Sequence, residues 1–268
     1  AKESASYAPD DYPVQLSRGC PLACTACALP LSMGRKLRQF PLAHGLAQIE
    51  QLAARGKLAS LTEDTSFFAS PRAALEALLT ALSERPTKAS ISYVGISMPM
   101  ILATPRATFD KLRAAGVRMF YLVGGFDPIT QRAFTGKHPE ELAKAYAVIA
   151  KAHDAGIEPY TSFLFGNDDD DEGCFDRVLA FADRAQIRKA EFAIRTPYPG
   201  TPSYVKLTAQ ERILHRDFSR YNDANVVFQP AHMTPERLQR GYLDVWRQFY
   251  ASRRNLQALE HRDRTIQF

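Results

Sequence analysis

The chain has 268 residues, of which 46% are hydrophobic and 24% are charged, and its formal net charge is +5. This is the composition of a globular protein. It contains no run of about 18 apolar residues, so we expect no membrane span. The surplus of positive charge is mostly diffuse, and we interpret it as solvated surface rather than as a nucleic-acid site.

The first residues, AKESASYAPDDYP, are polar and lack the apolar core of a secretory signal. Residue 1 is not methionine, which is consistent with a trimmed chain or with a piece of a longer one. Four cysteines, three of them close together, do not form the pattern of a disulfide framework. This pattern suits a reducing compartment, and we expect a cytoplasmic protein.

An amphipathic helix, a short turn with glycine and an apolar strand follow one another repeatedly along the chain. The pattern is clearest in FDKLRAAGVRMFYLVGG, residues 109–125, and recurs in residues 142–166. Such alternation predicts parallel strands joined by right-handed crossovers. The predicted strands lie near residues 13–17, 57–62, 90–96, 118–124, 158–165 and 190–195.

Six β/α units fit either an open doubly wound sheet or an incomplete barrel. No G-x-G-x-x-G follows the first predicted strand, which weakens a dinucleotide-binding interpretation. The alternation ends after Pro197. We therefore predict a barrel over residues 1–200 and a C-terminal helical extension over residues 201–268. Its helix begins at Thr234 and Pro235, and its aromatic stripe is predicted to pack on the barrel.

The loop after the first predicted strand, QLSRGCPLACTACALP, carries Cys20, Cys24 and Cys27 with the spacing C-x3-C-x2-C. Structural zinc usually takes four ligands, and the remaining cysteine, Cys174, lies far along the chain. A redox dithiol of Cys24 and Cys27 would leave Cys20 without a role. Cubane iron–sulfur clusters normally take four cysteines, so three cysteines leave one iron open to an exchangeable ligand. The spacing therefore favours an iron–sulfur cluster with an open iron.

This motif resembles the signature of the radical S-adenosylmethionine (SAM) superfamily, and the β/α units resemble its barrel. The resemblance implies an α/β fold, a partial (β/α)6 TIM-like barrel with a C-terminal helical extension. It also implies a [4Fe–4S] cluster on the three cysteines, whose open iron binds the amino and carboxylate groups of SAM. One-electron reduction then cleaves SAM to a 5′-deoxyadenosyl radical, which removes a substrate hydrogen. One position departs from the family pattern, because the commonly aromatic residue before the last cysteine is Ala26.

A narrower resemblance is to the SAM-radical domain of the cobalamin-binding class, which includes enzymes of hopanoid, bacteriochlorophyll and natural-product biosynthesis. It rests on RGCPLACTAC, AHDAGIEPYTSFLFGND and TPYPGTPSY and runs from about Tyr12 to Leu259. The D-x-H-x-x-G cobalamin signature is absent from the sequence. The chain therefore either works without cobalamin or uses cobalamin held by a missing domain or by a partner.

Candidate site residues follow the predicted strands, because active sites of parallel barrels lie at the carboxyl ends of the strands. After the second strand, Glu63 and Asp64 lie where the family's motif for the SAM amino group falls, and a carboxylate there would accept hydrogen bonds from the ammonium. The alternative is a helix cap, a role that Ser70 already fills. After the third strand, Ser97 is a candidate for contact with SAM or substrate, or else a buried strand-end hydroxyl.

After the fourth strand, Asp127 is suited to the ribose hydroxyls, and its alternative role is a turn before Pro128. In the fifth strand, Ser162 is predicted to point into the barrel. The segment SFLFGND resembles the one that lines the adenine, where Phe165 would supply an apolar wall and Gly166 a close backbone approach.

After the sixth strand, Arg195 is a cation at a position where burial without a partner is unfavourable. We expect it to meet an anion, either the SAM carboxylate or an acidic group of the substrate. The alternative is an ion pair with Glu191 or another nearby acid. The acidic run at residues 168–173 is interpreted as a solvated loop and helix start.

Together these features predict a radical SAM enzyme acting on a small-molecule, lipid or tetrapyrrole substrate, with no protein side chain assigned to catalysis. The expected cofactors are a [4Fe–4S] cluster and SAM, with cobalamin in the alternative of a C-methyltransferase. The expected protein partner is an electron donor such as flavodoxin or ferredoxin. Nucleic acid is not expected, because the chain shows no extension with interleaved basic and aromatic residues. A metal-binding structural protein without catalysis is the alternative outside the enzymes.

Overall fold

A computed structural model describes residues 11–22, 24–61, 72–85, 91–122 and 127–251. Its main sheet has six parallel strands in the order β1-β4-β5-β6-β7-β8, so that each strand pairs with the next one along the chain. These strands are β1 (Asp11–Pro13), β4 (Leu58–Leu61), β5 (Ile91–Ile96), β6 (Met119–Leu122), β7 (Glu158–Phe165) and β8 (Lys189–Ile194). A doubly wound sheet would reverse its order at a switch point, so this order confirms the partial barrel.

Two further strands, β2 (Ser17–Arg18) and β3 (Arg38–Gln39), pair antiparallel in a separate small sheet. Because of these strands, the predicted bounds of the first strand, near residues 13–17, were wrong. The parallel strand ends at Pro13, and the chain then turns into the small sheet, where Ser17 is the partner of Gln39. The apolar run of the sequence crosses this boundary, and it carries no signal that separates the two sheets.

The helices in the described ranges connect and cover the strands. They are α1 (Leu29–Met33), α2 (Leu42–Ala54), α3 (Arg72–Ser83), α4 (Met98–Ala103), α5 (Arg106–Ala114), α6 (Pro128–Arg132), α7 (Pro139–Asp154), α8 (Cys174–Arg184), α9 (Pro202–Ala209) and α10 (Pro235–Ala251), with a 3-10 turn at Phe218–Arg220. The start of α10 is confirmed, because Thr234 Oγ1 accepts the Arg237 N–H at 3.1 Å. None of these helices is both long and apolar enough to cross a membrane.

The two faces of β7 carry different side chains, as the alternation of a strand requires. Phe163 and Phe165 lie on the helix-covered face, where Phe163 is 2% exposed. The Phe163 ring contacts Phe134 at 5.4 Å and Phe181 of α8 at 6.2 Å between centroids. Burying one such phenylalanine contributes roughly 1.5–3 kcal/mol. This face is therefore the core that holds the helices on the sheet.

The last described helix, α10, closes the far side of this core. Its Trp246 and Phe249 rings meet Phe192 of β8 edge-on, at 5.2 and 5.4 Å between centroids. The predicted packing of the aromatic stripe on the barrel is confirmed by these contacts. A domain boundary near residue 200 stays a prediction.

Candidate functional site

The cysteine loop, residues 19–37, connects β2 to β3. Because these two strands pair with each other, they hold the two ends of the loop side by side. Gly19 has φ +89°, and a Cβ at this position would lie 2.2 Å from the Lys36 carbonyl oxygen. Only glycine fits such a left-handed, crowded position without strain. The next residue, Cys20, donates its N–H to the Gly34 carbonyl at 3.1 Å. The first cysteine is therefore fixed against the returning strand of the loop.

The three cysteines of this loop are free thiols with different exposure. Cys20 is 7% exposed, whereas Cys24 and Cys27 are half-buried. A turn connects the last two, with the Cys27 N–H donating to the Cys24 carbonyl at 3.4 Å. The Leu29 N–H donates to Cys27 Sγ at 3.4 Å. Hydrogen bonds of this kind to ligand sulfurs are one means by which proteins tune iron–sulfur centres.

Burial and nearby charges both act on the Cys24 thiol. Burial raises the pKa of Cys24 above its ordinary value, and the charges of Cys27, Cys20 and Asp127 raise it further. Three thiolates this close would repel one another in the absence of a cation. A bound metal centre reverses this effect and deprotonates its thiol ligands. The loop therefore has the chemistry of a site that a metal centre stabilises.

The described residues do not form a site for a single metal ion. Within the described ranges, no three His, Cys, Asp or Glu side chains converge as ligands of one ion. The thiolates of a cubane cluster bind different iron atoms, so their sulfurs need not converge on one point. The described residues are thus compatible with a [4Fe–4S] cluster on Cys20, Cys24 and Cys27.

The segment that follows β8 supports the cysteine loop from the other side. The Ser203 N–H, in the first turn of α9, donates to the Thr25 carbonyl at 2.9 Å. A Cβ on Gly200 would lie 3.2 Å from Leu31 of α1. The proline-rich turn TPYPGTPSY is therefore in contact with the loop that carries the thiols.

Asp127 follows β6 at the carboxyl edge of the sheet and caps α6. Its Oδ1 accepts the N–H groups of Ile129 and Thr130 at 2.9 and 3.1 Å, and its Oδ2 accepts the Thr130 hydroxyl at 3.0 Å. Burial raises the pKa of this carboxyl group. In the structure Asp127 is thus the N-cap of α6, a role beyond the turn before Pro128 that was its alternative, while its charge acts on Cys24. A contact with ribose hydroxyls stays a prediction.

Ser97 lies immediately after β5, at the same edge, and precedes α4. It is half-buried, and its hydroxyl makes no capping hydrogen bond to the helix. Contact of this hydroxyl with SAM or substrate stays a prediction. Glu63 and Asp64 lie outside the described residues, and their predicted role likewise stays a prediction.

Ser162 belongs to a cluster of hydrogen-bonded polar side chains on the inner face of the sheet. The sequence did not lead us to predict this cluster. Ser162 Oγ donates to Glu191 Oε1 at 2.8 Å, and the Tyr121 hydroxyl donates to the same oxygen at 2.6 Å. Burial and the Glu191 charge raise the pKa of Tyr121 and of Tyr160. The signal was present in the sequence, because Tyr121 stands within the strand MFYL and Glu191 between apolar residues in the strand KAEFAI.

Phe165 and Gly166 end β7 with contacts to the helices and to the C-terminal part of the chain. The Phe165 ring packs against Phe175 of α8 at 4.9 Å, on the outer face of the sheet. Gly166 has φ +91°, and a Cβ there would come within 3.0 Å of Phe228 and Leu238. In the structure, Gly166 is thus closely approached by the side chains of Phe228 and Leu238. Contact of Phe165 or Gly166 with adenine stays a prediction.

The interpretation of the acidic run at residues 168–173 as a solvated loop and helix start is correct for the helix, which begins at Cys174, and for the exposed Asp169 and Glu172, but it is wrong for Asp170. Asp170 is 5% exposed, and its Oδ2 accepts the N–H groups of Gly166 and Asn167, both at 2.9 Å. Asp168 binds Lys206 at 2.7 Å and Arg212 at 2.9 Å. Burial raises the pKa of Asp170 to about 6. The run ties the end of β7 to α9 and the segment after it, contacts that a count of charges along the chain does not predict.

Arg195 follows β8 and lies at the carboxyl edge of the sheet, half-buried. Its guanidinium donates to Asn167 Oδ1 at 3.1 Å and to Ser203 Oγ at 3.4 Å, and both partners are neutral. Of the alternative, an ion pair with Glu191 or another nearby acid, the Glu191 pair does not form, since that carboxylate accepts the hydroxyls of Ser162 and Tyr121, whereas the charges of Asp168 and Asp170 do act on Arg195. Burial lowers the pKa of Arg195. The charges of Asp168 and Asp170 oppose this shift, and binding of a further anion by Arg195 stays a prediction.

The structure is thus an open parallel half-barrel whose first strand is followed by a loop with three free cysteines. The family comparison agrees, because the profile described as "Radical SAM superfamily" matches residues 14–182. The chain belongs to the radical SAM superfamily, whose enzymes use a [4Fe–4S] cluster and SAM.

Curated relatives carry methyltransferase names. The chain is 25% identical over 244 residues to the bacteriochlorophyllide d C-12(1)-methyltransferase of Chlorobaculum tepidum, a match that covers 89% of this chain and 51% of that protein. It is 26% identical over 249 residues to the C-8(2)-methyltransferase of the same organism, covering 87% of this chain and 53% of that protein. The chain thus spans about half the length of these relatives.

Among solved structures, the fold resembles TsrM from Kitasatospora setae, a radical S-adenosylmethionine methyltransferase solved with cobalamin and a [4Fe–4S] cluster bound. The TM-score is 0.62 and the identity 20%, and the match covers 86% of this chain and 46% of that one. At this identity the likeness establishes the fold alone. It agrees with the half-barrel and its six parallel strands.

Proposed function

We propose that this chain holds a [4Fe–4S] cluster on Cys20, Cys24 and Cys27, with one iron open to SAM, and removes a hydrogen atom from a small organic substrate. When bound, the reduced cluster supplies the electron that cleaves SAM to a 5′-deoxyadenosyl radical. The observation that carries the proposal is the neighbourhood of three free thiols on one clamped loop at the carboxyl edge of the sheet.

The residues at this edge are proposed to bind and orient SAM and substrate. Arg195 has neutral partners and is proposed to meet the SAM carboxylate or an acidic substrate group. Ser97 offers an uncommitted half-buried hydroxyl, and Ser162 lies on the inner face. Asp127 acts chiefly by capping α6 beside the thiols. The remaining proposed SAM contacts are Glu63, Asp64, Phe165 and Gly166.

A second candidate function is C-methylation that uses cobalamin bound outside these residues. It is favoured by the methyltransferase names of the relatives and by the half-length match to them. Methyl transfer leaves S-adenosylhomocysteine, whereas hydrogen abstraction leaves 5′-deoxyadenosine. Formation of S-adenosylhomocysteine only when cobalamin is added would favour this second function. The cytoplasmic location and the absence of nucleic-acid binding stay predictions.

The experiment that tests the ligands compares single cysteine variants after anaerobic reconstitution. Wild-type protein is expected to bind about four iron atoms per chain. Cys20→Ala, Cys24→Ala and Cys27→Ala should each lose most of this iron and the broad cluster absorption. Cys174→Ala is the matched control, because Cys174 is a free cysteine in the core. Equal iron in all four variants, with the fold intact by circular dichroism, would contradict the assignment.

A further inference from the structure

The segment that carries the three cysteines differs from the rest of the chain in charge. Residues 12–49 contain no aspartate or glutamate, although carboxylates are frequent elsewhere in the sequence. The same residues contain the cations Arg18, Arg35, Lys36 and Arg38. A net charge of one sign around a redox site steers the approach of an oppositely charged partner.

The cations lie beside the first cysteine. Cys20 donates its N–H to the Gly34 carbonyl at 3.1 Å, and the Lys36 carbonyl lies against Gly19. Arg35 and Lys36 follow Gly34 directly, and both are exposed. Arg35 and Lys36 therefore directly follow the residue whose carbonyl accepts the N–H of a proposed cluster ligand.

The remaining cations hold this arrangement in place. Arg38 donates to the Met33 carbonyl at 2.6 Å, which closes the loop on itself. Arg18 donates to Gln15 at 3.0 Å and lies over the Phe40 ring at 5.9 Å. We call residues 17–39 the cationic hairpin. Because Arg18 and Arg38 have these contacts, Arg35 and Lys36 are the positions at which charge can be changed with least effect on the loop.

Apolar side chains are exposed at and beside the cationic hairpin. Leu31 is 58% exposed and Phe40 is 37% exposed, and Leu22 and Leu42 are exposed as well. Small transient redox interfaces combine limited apolar contact with a charged rim. The segment therefore offers both parts of such an interface next to the thiols.

We propose that the cationic hairpin is the docking surface for an acidic one-electron carrier protein of the flavodoxin or ferredoxin type. This inference rests on the proposed function, since it requires a cluster at the three cysteines. One electron leaves the reduced carrier and enters the oxidised cluster, so the carrier is oxidised by one electron and the cluster is reduced by one. No bond is formed or broken between the two proteins.

The test uses the reconstituted full chain and a purified acidic flavodoxin as the probe. The variant is Arg35→Glu/Lys36→Glu. The matched control, Arg55→Glu/Arg184→Glu, makes the same charge change at two exposed cations at the ends of α2 and α8, on the opposite edge of the sheet. Two quantities are measured: the dissociation constant of oxidised flavodoxin by calorimetry, and the rate of cluster reduction by flavodoxin hydroquinone in stopped flow.

At low ionic strength, the hairpin variant should bind flavodoxin with a dissociation constant at least tenfold higher than that of wild type, and its cluster should be reduced at least tenfold more slowly. Both differences from wild type should shrink as salt screens the charges. The control variant should stay within about twofold of wild type. Equal losses in both variants, or no loss in the hairpin variant, would overturn the docking surface. A salt-independent loss would assign the hairpin to another contact, such as the rest of a longer polypeptide, and would also overturn it.

Reduction by dithionite separates this proposal from the proposed function. If dithionite reduces wild type and both variants to the same extent, the cluster is intact and the flavodoxin result tests docking alone. If no reducible cluster forms in wild type, the proposed function fails, and the docking proposal fails with it.

Discussion

The helix-covered face of the sheet is packed with apolar side chains, whereas its carboxyl edge carries ionisable groups. On the covered face, Phe163 and its aromatic neighbours are buried against one another. At the carboxyl edge, Asp127, Asp170 and Arg195 are ionisable groups wholly or partly removed from water. Burial raises the pKa of both aspartates and lowers that of the arginine, so each charge is less stable there than in water.

This difference shows how the molecule divides stability and function. The covered face stabilises the fold through contacts that have no chemistry of their own. The carboxyl edge retains groups that destabilise the folded chain, and perturbed groups of this kind concentrate at functional sites. Variants of the two regions should therefore change stability in different ways.

The largest change in stability is expected from Phe163→Ala. This substitution removes a fully buried ring from between Phe134, Phe181 and Phe192 and should lower the free energy of unfolding by about 3–5 kcal/mol. Urea unfolding followed by circular dichroism measures the change. The control is Phe218→Ala, at a ring that is 54% exposed, where a change within about 0.5 kcal/mol is expected. Similar losses at both positions would contradict the assignment of the core.

A smaller, pH-dependent change is expected from Asp170. The folded chain keeps this proton up to about pH 6, whereas the unfolded chain releases it near the ordinary pKa of 3.8. The free energy of unfolding should therefore fall as pH rises between these two values, by about 3 kcal/mol in all. In Asp170→Asn this decrease should be absent, because the amide oxygen can accept the same backbone N–H groups and carries no charge.

Urea unfolding of both proteins at several pH values between 4 and 7 makes this comparison. The control is Asp169→Asn, a change at the neighbouring exposed aspartate, which should keep the wild-type decrease. A decrease of equal size in wild type and Asp170→Asn would show that the buried carboxyl group does not set the pH dependence.

The sequence predicted the covered face and the thiols better than the rest of the edge. The apolar runs of β5 to β8 and the helix spacing between them depend on local pattern, and the structure confirms those strands within one or two residues in the described ranges. The three cysteines are close along the chain, so their neighbourhood follows from a short loop. Both are local properties that the sequence contains directly.

The errors occurred where distant segments meet. Asp170 is buried beside Gly166, which Phe228 and Leu238 of α10 approach closely, and nothing in a run of aspartates indicates such contacts. Arg195 donates hydrogen bonds to Asn167 and Ser203, which lie 28 and 8 residues away from it along the chain. The hydrogen bond between Tyr121 of β6 and Glu191 of β8 reaches across the strand between them, β7. Such contacts depend on strand register and loop paths, which one sequence does not specify.

The measurement that tests the central claim most directly is electron paramagnetic resonance of the anaerobically reconstituted, dithionite-reduced chain, recorded with and without SAM. We expect a [4Fe–4S]⁺ signal whose g values change when SAM is added, because SAM binds the iron that the three cysteines leave open. A signal that SAM does not change, or the absence of any cluster signal, would contradict the claim that Cys20, Cys24 and Cys27 form a SAM-binding iron–sulfur site.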